Sequence, residues 1–348
     1  MYNDSMNKKI AINGFGRIGR LFFKQALRES SLDIVAVNDL GDAENLAYLL
    51  QYDSVYGRFD GAVEVKEKNG ETTFVVNGKE IRLLRERDPA NLPWGDMEID
   101  VVVEATGAFN SFEKSQAHVQ AGAKRVVITA PAKDGDGELG HTILGGINEE
   151  LLSKAPISSN GSCTTNAASP VIQALLESVG IEKAALSTIH GYTASQSLVD
   201  GPSGKDFRKG RAAAQNIVPS TTGAAIAVSR AIPDLEDKFD GIAMRVPVVS
   251  GSAADITLLA SRKTSPEEVN EILRTASRDA RWEHLLAVTE DPVVSSDIVG
   301  QPYGAIVDLS FTRVVDGDLV KVLSWYDNEA GYVATLVRHV AASAQHCS

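Results

Sequence analysis

The sequence contains few cysteines and few histidines. Of its 348 residues, two are cysteine, Cys163 and Cys347, and six are histidine. Two such cysteines exclude a disulfide framework and fit a reducing compartment. We expect Cys347 to be frayed, because it is next to last and chain ends are often poorly ordered. Cys163 lies in the stretch SNGSCTTN, among small hydroxyl and amide side chains, and such surroundings are typical of a reactive thiol.

Long apolar runs and excess positive charge are also missing. No stretch reaches the roughly 18 apolar residues of a membrane-spanning helix. The opening MYNDSMNKK is polar, unlike the apolar segment of a secretory signal peptide. A formal net charge of −12 argues against a nucleic-acid surface. We therefore expect a cytoplasmic protein that binds neither membrane nor nucleic acid. We also predict no metal site.

The first forty residues follow the order of a dinucleotide-binding βαβ unit. The strand KKIAING leads into the turn GFGRIGR, a helix from about Ile18 to Arg28, and a second strand, DIVAVND, that ends on Asp39. A glycine pattern of this kind permits a tight turn, close approach of a pyrophosphate and close helix–strand packing, roles that fall to Gly14, Gly16 and Gly19. Asp39 favours NAD, because a ribose-binding acid repels the 2′-phosphate of NADP. The alternative is a tight turn without a ligand.

The remaining pattern predicts two domains. Apolar runs at TTFVV, DVVVEATG, RVVITAP and HTILGG, with a helical pattern over residues 112–121, favour a mostly parallel, doubly wound α/β sheet. From Cys163 the pattern changes to a helix up to Val179, the long strands KAALSTIHG, GIAMRVPVV and AADITLLASRK, and helices over 265–280 and 331–345. We predict a Rossmann-type domain at 1–161, an α+β catalytic domain at 162–328, and a C-terminal helix within 329–348 that packs back on the first domain.

Cys163 is expected at a helix N-terminus. Ser162 is a plausible N-cap, and the first turn directs N–H groups and a positive dipole end at the sulfur, which favours the thiolate. His190 ends the strand LSTIH, 27 residues after Cys163, and is a candidate base. A histidine at the end of a strand is also often a purely structural group.

A second cluster of residues combines hydroxyl groups with a cation. Thr193 follows His190, STTG occupies Ser220–Gly223, and Arg245 lies in MRVP. Since an arginine among apolar residues in a strand is rarely buried without a partner, Arg245 is expected to meet an anionic ligand or, equally, a carboxylate of the chain. The long segment GYTASQSLVDGPSGKDFRKGRAAAQN is expected to be a functional loop.

Together these motifs resemble the phosphorylating glyceraldehyde-3-phosphate dehydrogenases. The resemblance runs over nearly the full length, through INGFGRIGR, YDSVYGRF, ERDP, EATG, SCTTN, GPSGKDFRKGRAAAQN, TGAA, RVP and WYDNE. It implies NAD-dependent oxidative phosphorylation of D-glyceraldehyde 3-phosphate to 1,3-bisphosphoglycerate through a cysteine thioester. It also implies a homotetramer whose long loop packs near the cofactor site of a neighbouring subunit.

The resemblance implies roles for individual residues. It makes Cys163 the nucleophile and His190 its base. The phosphate of the substrate is assigned to Thr193 and Arg245, and the attacking inorganic phosphate to Ser162, Thr164, Thr222 and Gly223. Arg208 or Arg211 adds charge at that second site. The implied cofactor residues are Gly14, Gly16, Arg17, Ile18, Gly19, Asp39, Arg87, Thr129 and Asn328.

Four positions depart from the usual family pattern. Gly161 stands before Ser162 where alanine is familiar, and Ala167 replaces a second cysteine after SCTTN. Ile226 follows TGAA where lysine is common, and Ala330 replaces a bulkier residue. Three alternatives remain at this point: erythrose-4-phosphate dehydrogenase with the same chemistry, a nucleotide-binding protein without turnover, and a cysteine hydrolase or acyltransferase. The last would leave the glycine turn and Asp39 without a role.

Overall fold

The computed structural model of the chain describes residues 7–204 and 206–347 and divides into two compact units. The first unit comprises residues 1–143, 149–161 and 336–348, and the second comprises 144–148 and 162–335. Most of the polar opening lies outside the described residues, since these begin at Asn7. Within 7–204 and 206–347, no helix has the length and apolar character needed to cross a membrane.

The first unit is built on a nine-stranded sheet of order β10-β11-β9-β8-β1-β2-β7-β6-β5, with β3 and β4 pairing separately. In chain order its elements are β1 (Lys8–Asn13), α1 (Arg17–Ala26), β2 (Leu32–Asn38), α2 (Ala43–Gln51), β3 (Tyr52–Asp53), β4 (Gly57–Arg58), β5 (Val63–Lys68), β6 (Glu71–Val76), β7 (Lys79–Leu84), β8 (Val101–Glu104), α3 (Phe112–Gln120), β9 (Arg125–Ile128), β10 (Gly140–Thr142) and β11 (Ile157–Ser159).

Pairing in this sheet is parallel from β10 to β7, which confirms the predicted doubly wound fold. The central strands are apolar because both of their faces are buried, as Ile10, Val102 and Val126 illustrate. β1 lies between β2 and β8, so the strand order reverses there. In such sheets the carboxyl ends of the strands beside this switch point form the ligand crevice.

Two features of the first unit differ from expectation. β5, β6 and β7 form an antiparallel meander. The apolar pattern predicted only its TTFVV segment, because β5 and β7 carry charged residues on an exposed face. The expectation that Cys347 is frayed is wrong. Cys347 is buried, its thiol lies 3.5 Å from Asp100 O, and Lys8 Nζ donates to Cys347 O at 3.0 Å, so the chain end is held in place.

The second unit is an α+β structure, as predicted. Its seven-stranded mixed sheet has the order β13-β14-β12-β15-β18-β17-β16. Its elements are α4 (Cys163–Val179), β12 (Ile181–Gly191), β13 (Val218–Thr221), α5 (Ala224–Ala231), β14 (Phe239–Val246), β15 (Ser252–Ala260), α6 (Pro266–Ala276), β16 (Leu286–Thr289), β17 (Ala305–Val315) and β18 (Leu319–Tyr326). The predicted bounds of α4 are confirmed.

The core of the second unit lies between the sheet and its helices. Val171 and Leu175 of α4 are fully buried and belong to one cluster with Ile256 of β15 and Val322 of β18. This packing holds α4 against the sheet. The last helix, α7 (Ala330–Ala344), begins in the second unit, and its residues from Leu336 cluster with the first unit.

Candidate active site

Local capping places Cys163 at the first position of α4. Ser162 has an extended backbone, and its side-chain oxygen accepts a hydrogen bond from Thr165 N at 3.1 Å. Ser162 N donates in return to Thr165 Oγ1 at 3.1 Å, which completes a capping box. The predicted N-cap is therefore confirmed. The half-buried Cys163 lies on the first turn, where the backbone N–H groups have no partner within the helix.

Strand pairing brings His190 and Arg245 to the same place. β12 and β14 are parallel, and His190 is the direct partner of Arg245 in their register. Cys163 Sγ lies 3.2 Å from His190 Nε2, which is hydrogen-bond distance for sulfur. Arg245 Nη1 lies 2.7 Å from His190 Nδ1. The three residues thus form one contiguous group within the second unit.

The pKa values of this group are set mainly by burial. Burial, and then the positive charge of Arg245, lowers the pKa of His190 to about 3. Burial also raises the pKa of the Cys163 thiol, and the attraction of Arg245 and hydrogen bonds from Thr164 oppose this only in part. Burial therefore opposes the ionisation of Cys163 that the helix N-terminus is expected to favour. With a pKa of about 3, the His190 imidazole is neutral near pH 7.

Two neighbours of His190 Nδ1 require opposite tautomers. Gly191 O lies 2.6 Å from Nδ1 and can only accept, whereas the Arg245 guanidinium can only donate. Arg245 Nη1 also reaches Gly191 O at 3.2 Å. When Nδ1 donates to Gly191 O, Nε2 presents its lone pair to the sulfur. The position of Arg245 therefore controls which nitrogen of His190 can act as a base.

Sequence reasoning missed Tyr326, which lies behind the group. Its hydroxyl is 2.9 Å from Thr164 Oγ1 and 2.6 Å from Thr188 Oγ1, and its ring meets the His190 ring edge-on with centroids 5.8 Å apart. Burial raises the pKa of Tyr326 above its ordinary value. The available signal was the alternation in LVKVLSWY, which places Tyr326 on the buried face of β18.

Two of the other predicted anion ligands, Thr193 and Thr222, carry hydroxyl groups that already have partners, and a third is Gly223. Thr193 is exposed on the loop after β12, where its hydroxyl lies 3.0 Å from Ser195 Oγ and 3.3 Å from Gln196 Oε1. Thr222 Oγ1 accepts from Ala224 N at 3.1 Å, and Gly223 is the exposed N-cap of α5.

The three arginines predicted for the anion sites differ in their pairing. The Nε atom of Arg245 is buried and has no hydrogen-bond partner. Arg208 pairs with Asp206 and Arg211 with Asp200, each at 2.9 Å on exposed side chains. Of these three arginines, Arg245 is therefore the one with a buried nitrogen that lacks a hydrogen-bond partner.

The glycine turn of the first unit has the geometry that its sequence predicts. Gly14 has φ +97°, and Gly14 N donates to Asn38 O at 2.8 Å. A Cβ added at Gly19 would overlap Gly14 O, whereas one added at Gly16 would meet no atom within 4 Å. Gly16 thus leaves open space at the N-terminus of α1, where a pyrophosphate can approach the backbone.

Asp39 is held at the end of β2 by two backbone amides. Its Oδ2 accepts from Phe15 N at 2.7 Å and its Oδ1 accepts from Gly41 N at 2.8 Å. These hydrogen bonds fix the carboxylate beside the glycine turn and leave further lone pairs for ribose hydroxyls. The open space at Gly16 and the orientation of Asp39 fit a dinucleotide.

The remaining predicted cofactor residues lie in both units. The Arg17 side chain pairs with Asp53 at 2.9 Å, and Arg87 is exposed in the segment after β7. Thr129 N donates to Glu104 O at 3.0 Å. In the second unit, Asn328 Oδ1 accepts from Ser252 Oγ at 2.8 Å, which orients its amide nitrogen away from Ser252. Over the part of the chain that the structure describes, no His, Cys, Asp and Glu group could hold a metal ion.

Comparisons with known proteins agree with this arrangement. Residues 8–112 match the family model of the glyceraldehyde 3-phosphate dehydrogenase NAD binding domain, and residues 162–328 match that of its C-terminal domain. The chain is 48% identical over 337 residues to glyceraldehyde-3-phosphate dehydrogenase of Clostridium acetobutylicum, covering 96% of this chain and 97% of that protein. The chain belongs to the glyceraldehyde-3-phosphate dehydrogenase family.

Two further relatives have slightly lower identity. Glyceraldehyde-3-phosphate dehydrogenase 2 of Bacillus subtilis is 44% identical over 348 residues, with 99% of each chain covered. The Streptomyces coelicolor enzyme is 45% identical over 335 residues, which cover 95% of this chain and 97% of that enzyme. Family membership makes the chain an NAD-dependent dehydrogenase of glyceraldehyde 3-phosphate and does not favour the erythrose 4-phosphate alternative.

Proposed function

We propose that the chain catalyses the oxidative phosphorylation of glyceraldehyde 3-phosphate, with Cys163 as nucleophile and His190 as general base. The observation that carries this proposal is the 3.2 Å contact between Cys163 Sγ and His190 Nε2 at the start of α4. An adjacent base is what a thiol with a raised pKa needs in order to attack a carbonyl.

The reaction begins with a bond between Cys163 Sγ and the aldehyde carbon. His190 Nε2 takes the thiol proton and returns it to the carbonyl oxygen, which gives a hemithioacetal. When bound, NAD supplies the two-electron oxidation of this adduct. His190 removes the hydroxyl proton, so the acyl group remains on Cys163 as a thioester. An oxygen of inorganic phosphate then attacks the thioester carbon, the C–S bond breaks, and the departing sulfur regains a proton from His190.

These reaction steps need two anion-binding sites, one for each phosphate. We assign the substrate phosphate to Arg245 and Thr193, because the buried Arg245 Nε has no partner and Arg245 also contacts His190. Inorganic phosphate is assigned to the hydroxyl and backbone groups of Ser162, Thr164, Thr222 and Gly223. The exposed ion pairs of Arg208 and Arg211 give neither arginine a preference at that second site.

NAD is assigned to the glycine turn and to Asp39, with a contribution from Asn328. Gly14 and Gly19 shape the turn, and the backbone of Gly16, Arg17 and Ile18 faces the pyrophosphate. Asp39 accepts hydrogen bonds from ribose hydroxyls, and Arg87, which follows the neighbouring strand β7, borders the same side, whereas Thr129 follows β9 on the other side of β1. Ser252 fixes the Asn328 amide so that its nitrogen can donate to the nicotinamide amide. We propose residues 1–161 as the dinucleotide-binding domain and residues 162–328 as the catalytic domain.

We also propose that the chain forms a homotetramer. On the outer face of the second sheet, Ile189 is 39% exposed and Ile242 is 48% exposed. In the loop that follows β12, Leu198 and Phe207 are each 80% exposed. Apolar exposure on this scale is typical of an interface. Sedimentation should give four chains for the wild type and fewer for the Ile189→Asp, Ile242→Asp double variant. Val294→Asp, at another exposed apolar site, is the control.

The activity is tested by following NADH at 340 nm with glyceraldehyde 3-phosphate, with and without inorganic phosphate. Turnover that depends on phosphate supports the acyl-phosphate route and both anion sites. Erythrose 4-phosphate and NADP are run in parallel, and a preference for either would contradict the assignment. A reducing cytoplasm is proposed as the compartment, because both Cys163 and Cys347 are free thiols.

A further inference from the structure

A buried polar network lies at the carboxyl ends of the strands in the first sheet. Its centre is Glu104, the last residue of β8, whose side chain is fully buried. Glu104 Oε2 accepts from Asn13 Nδ2 at 2.6 Å and lies 3.1 Å from His118 Nε2. Glu104 Oε1 accepts from Thr106 N at 2.9 Å and from the Thr106 hydroxyl.

The partner of His118 on its other side determines its tautomer. Trp94 Nε1 donates to His118 Nδ1 at 3.0 Å, and an indole nitrogen can only donate. The ring proton of His118 therefore lies on Nε2 and is directed at Glu104. Trp94 and His118 are both fully buried. All four groups that contact the Glu104 carboxylate are consequently hydrogen-bond donors.

The network continues from Glu104 to the glycine turn along two routes. Asn13 Oδ1 accepts from Asn38 Nδ2 at 2.7 Å, and Asn38 O accepts from Gly14 N at 2.8 Å. Along the second route, a Cβ added at Gly14 would lie 2.6 Å from Thr106 N, so the turn packs directly on the segment that Glu104 holds. Asn38 and Thr106, which both contact the turn, are thus held in place through the Glu104 carboxylate.

The same network reaches the adenosine side of the predicted cofactor site. Asn38 precedes Asp39, and its side chain donates to Glu86 O at 2.9 Å and accepts from Glu86 N at 2.8 Å. Glu86 in turn precedes Arg87. Asn38 and Glu86, which precede Asp39 and Arg87, are therefore hydrogen-bonded to each other, and Asn38 is linked through Asn13 to Glu104.

We propose that Glu104 is a positioning residue of the NAD site. Its carboxylate sets the position of the Gly14–Gly19 turn through Asn13 and Thr106. A buried carboxylate is costly unless it is fully hydrogen-bonded, and this one is placed where the turn needs two fixed supports. The proposal rests on the binding of NAD at that turn.

Strand β8 also provides a matched control. Asp100 immediately precedes β8 and is also buried, and its Oδ2 accepts from Lys9 N at 2.8 Å. Asp100 lies at the amino end of the strand, opposite the glycine turn. Asp100→Asn and Glu104→Gln each convert one buried carboxylate, at opposite ends of β8, into an amide, but only the second change affects the support of the turn.

The experiment measures NAD affinity by titration calorimetry on the full-length apoenzyme. In Glu104→Gln the new amide N–H₂ faces donors, so we expect the Kd for NAD to rise about tenfold, or about 1.4 kcal/mol of binding free energy. The kcat at saturating NAD and the KM for glyceraldehyde 3-phosphate should stay within about twofold of the wild type, since a group that acts only on cofactor binding leaves the later steps unchanged. Asp100→Asn should lower thermal stability without changing the Kd.

An unchanged Kd in Glu104→Gln overturns the proposal, as does an equal rise in Asp100→Asn. If the wild type itself fails to bind NAD, the proposed cofactor site is wrong, which is a separate result. Thr106→Val and Asn13→Ala serve if Glu104→Gln does not fold. Each should raise the Kd for NAD, and their effects should be non-additive because both act through Glu104. Additive effects, or no effect, contradict the proposal.

Discussion

Arg245 Nη1 lies 2.7 Å from His190 Nδ1, and the two residues are direct partners in the parallel pairing of β12 with β14. A cation at this place lowers the pKa of the imidazole. It also competes with Gly191 O for Nδ1. We expect an anion that draws the guanidinium away to leave Nδ1–H with Gly191 O and to direct the Nε2 lone pair at Cys163. Binding of the substrate phosphate and activation of the base are then coupled.

Replacing Arg245 should affect both substrate binding and the pH profile. Arg245→Met removes charged hydrogen bonds worth roughly 1.5–3 kcal/mol, so kcat/KM for glyceraldehyde 3-phosphate should fall by about tenfold to a hundredfold. The pKa of His190 should rise when the cation is lost, which moves the acid limb of kcat/KM to higher pH. Arg245→Lys keeps the charge and should leave that limb in place. A shift of the acid limb in both variants, or in neither, contradicts the coupling between Arg245 and His190.

The two cysteines allow a matched test of the nucleophile. Cys163→Ser should abolish turnover and retain NAD binding, because the hydroxyl is a far weaker nucleophile at this position. Cys347→Ser should keep full activity, since the Cys347 thiol donates to Asp100 O, outside the proposed active site. Steady-state rates and NAD titrations of both variants are the measurement. Turnover by Cys163→Ser would remove Cys163 from the nucleophile role.

The reactivity of Cys163 should show its raised pKa. In the apoenzyme of Cys347→Ser, the rate of alkylation by iodoacetamide should keep increasing at pH values where an ordinary thiol is already ionised, because burial disfavours the thiolate. His190→Asn serves as the comparison, and its Cys163 should be alkylated more slowly near neutral pH. A rate that reaches its plateau below pH 7 would show that the helix N-terminus prevails over burial.

Two glycines of the cofactor turn should respond differently to the same change. A Cβ at Gly19 overlaps Gly14 O, so Gly19→Ala should lower the melting temperature of the apoenzyme. Gly16 has a negative φ of −69° and open space around a Cβ, so Gly16→Ala should fold normally. It should nevertheless weaken NAD binding, because the methyl group occupies the approach to the helix N-terminus. Equal stabilities for the two variants would contradict the predicted packing.

Stability in acid should depend on a buried histidine of the first unit. Burial, and then Arg125, lowers the pKa of His339 to about 3. Unfolded histidine has a pKa of about 6.5, so between these values the unfolded state binds more protons and stability falls as pH falls. One such residue lowers the free energy of unfolding by about 1.4 kcal/mol at pH 5.5 relative to neutral pH. His339→Gln should reduce the difference in urea midpoint between pH 7.5 and pH 5.5, and an unchanged difference would contradict the shift.

Much of the fold was predictable because local chemistry is strong where the chain is regular. The bounds of α4 follow from the capping box at Ser162 and the apolar run behind it. The parallel strands of the first sheet are continuous apolar runs because both of their faces are buried. The meander of β5 to β7 was not predicted, since its outer strand is mostly exposed and its pattern is polar.

The site was predictable to a lesser extent. Cys163 and His190 could be singled out from a cap and a strand end, and the resemblance to a family supplied their roles. The contact of Tyr326 with Thr164 and Thr188 joins residues 162 and 138 positions apart in the chain, which no local pattern reveals. The network around Glu104 likewise joins Asn13 with a strand 91 residues later. Both depend on sheet order and register.

The sequence by itself singled out the candidate residues: a glycine turn in which Gly14 has a positive φ, an acid after a strand, and a capped cysteine. Only the tertiary structure decided their electrostatics. Burial raises the pKa of Cys163 where the helix N-terminus alone predicts a lower one, and the register of β12 against β14 places a guanidinium on His190. Desolvation and strand register depend on everything packed around a residue, and for that reason neither can be inferred from its neighbours in the chain.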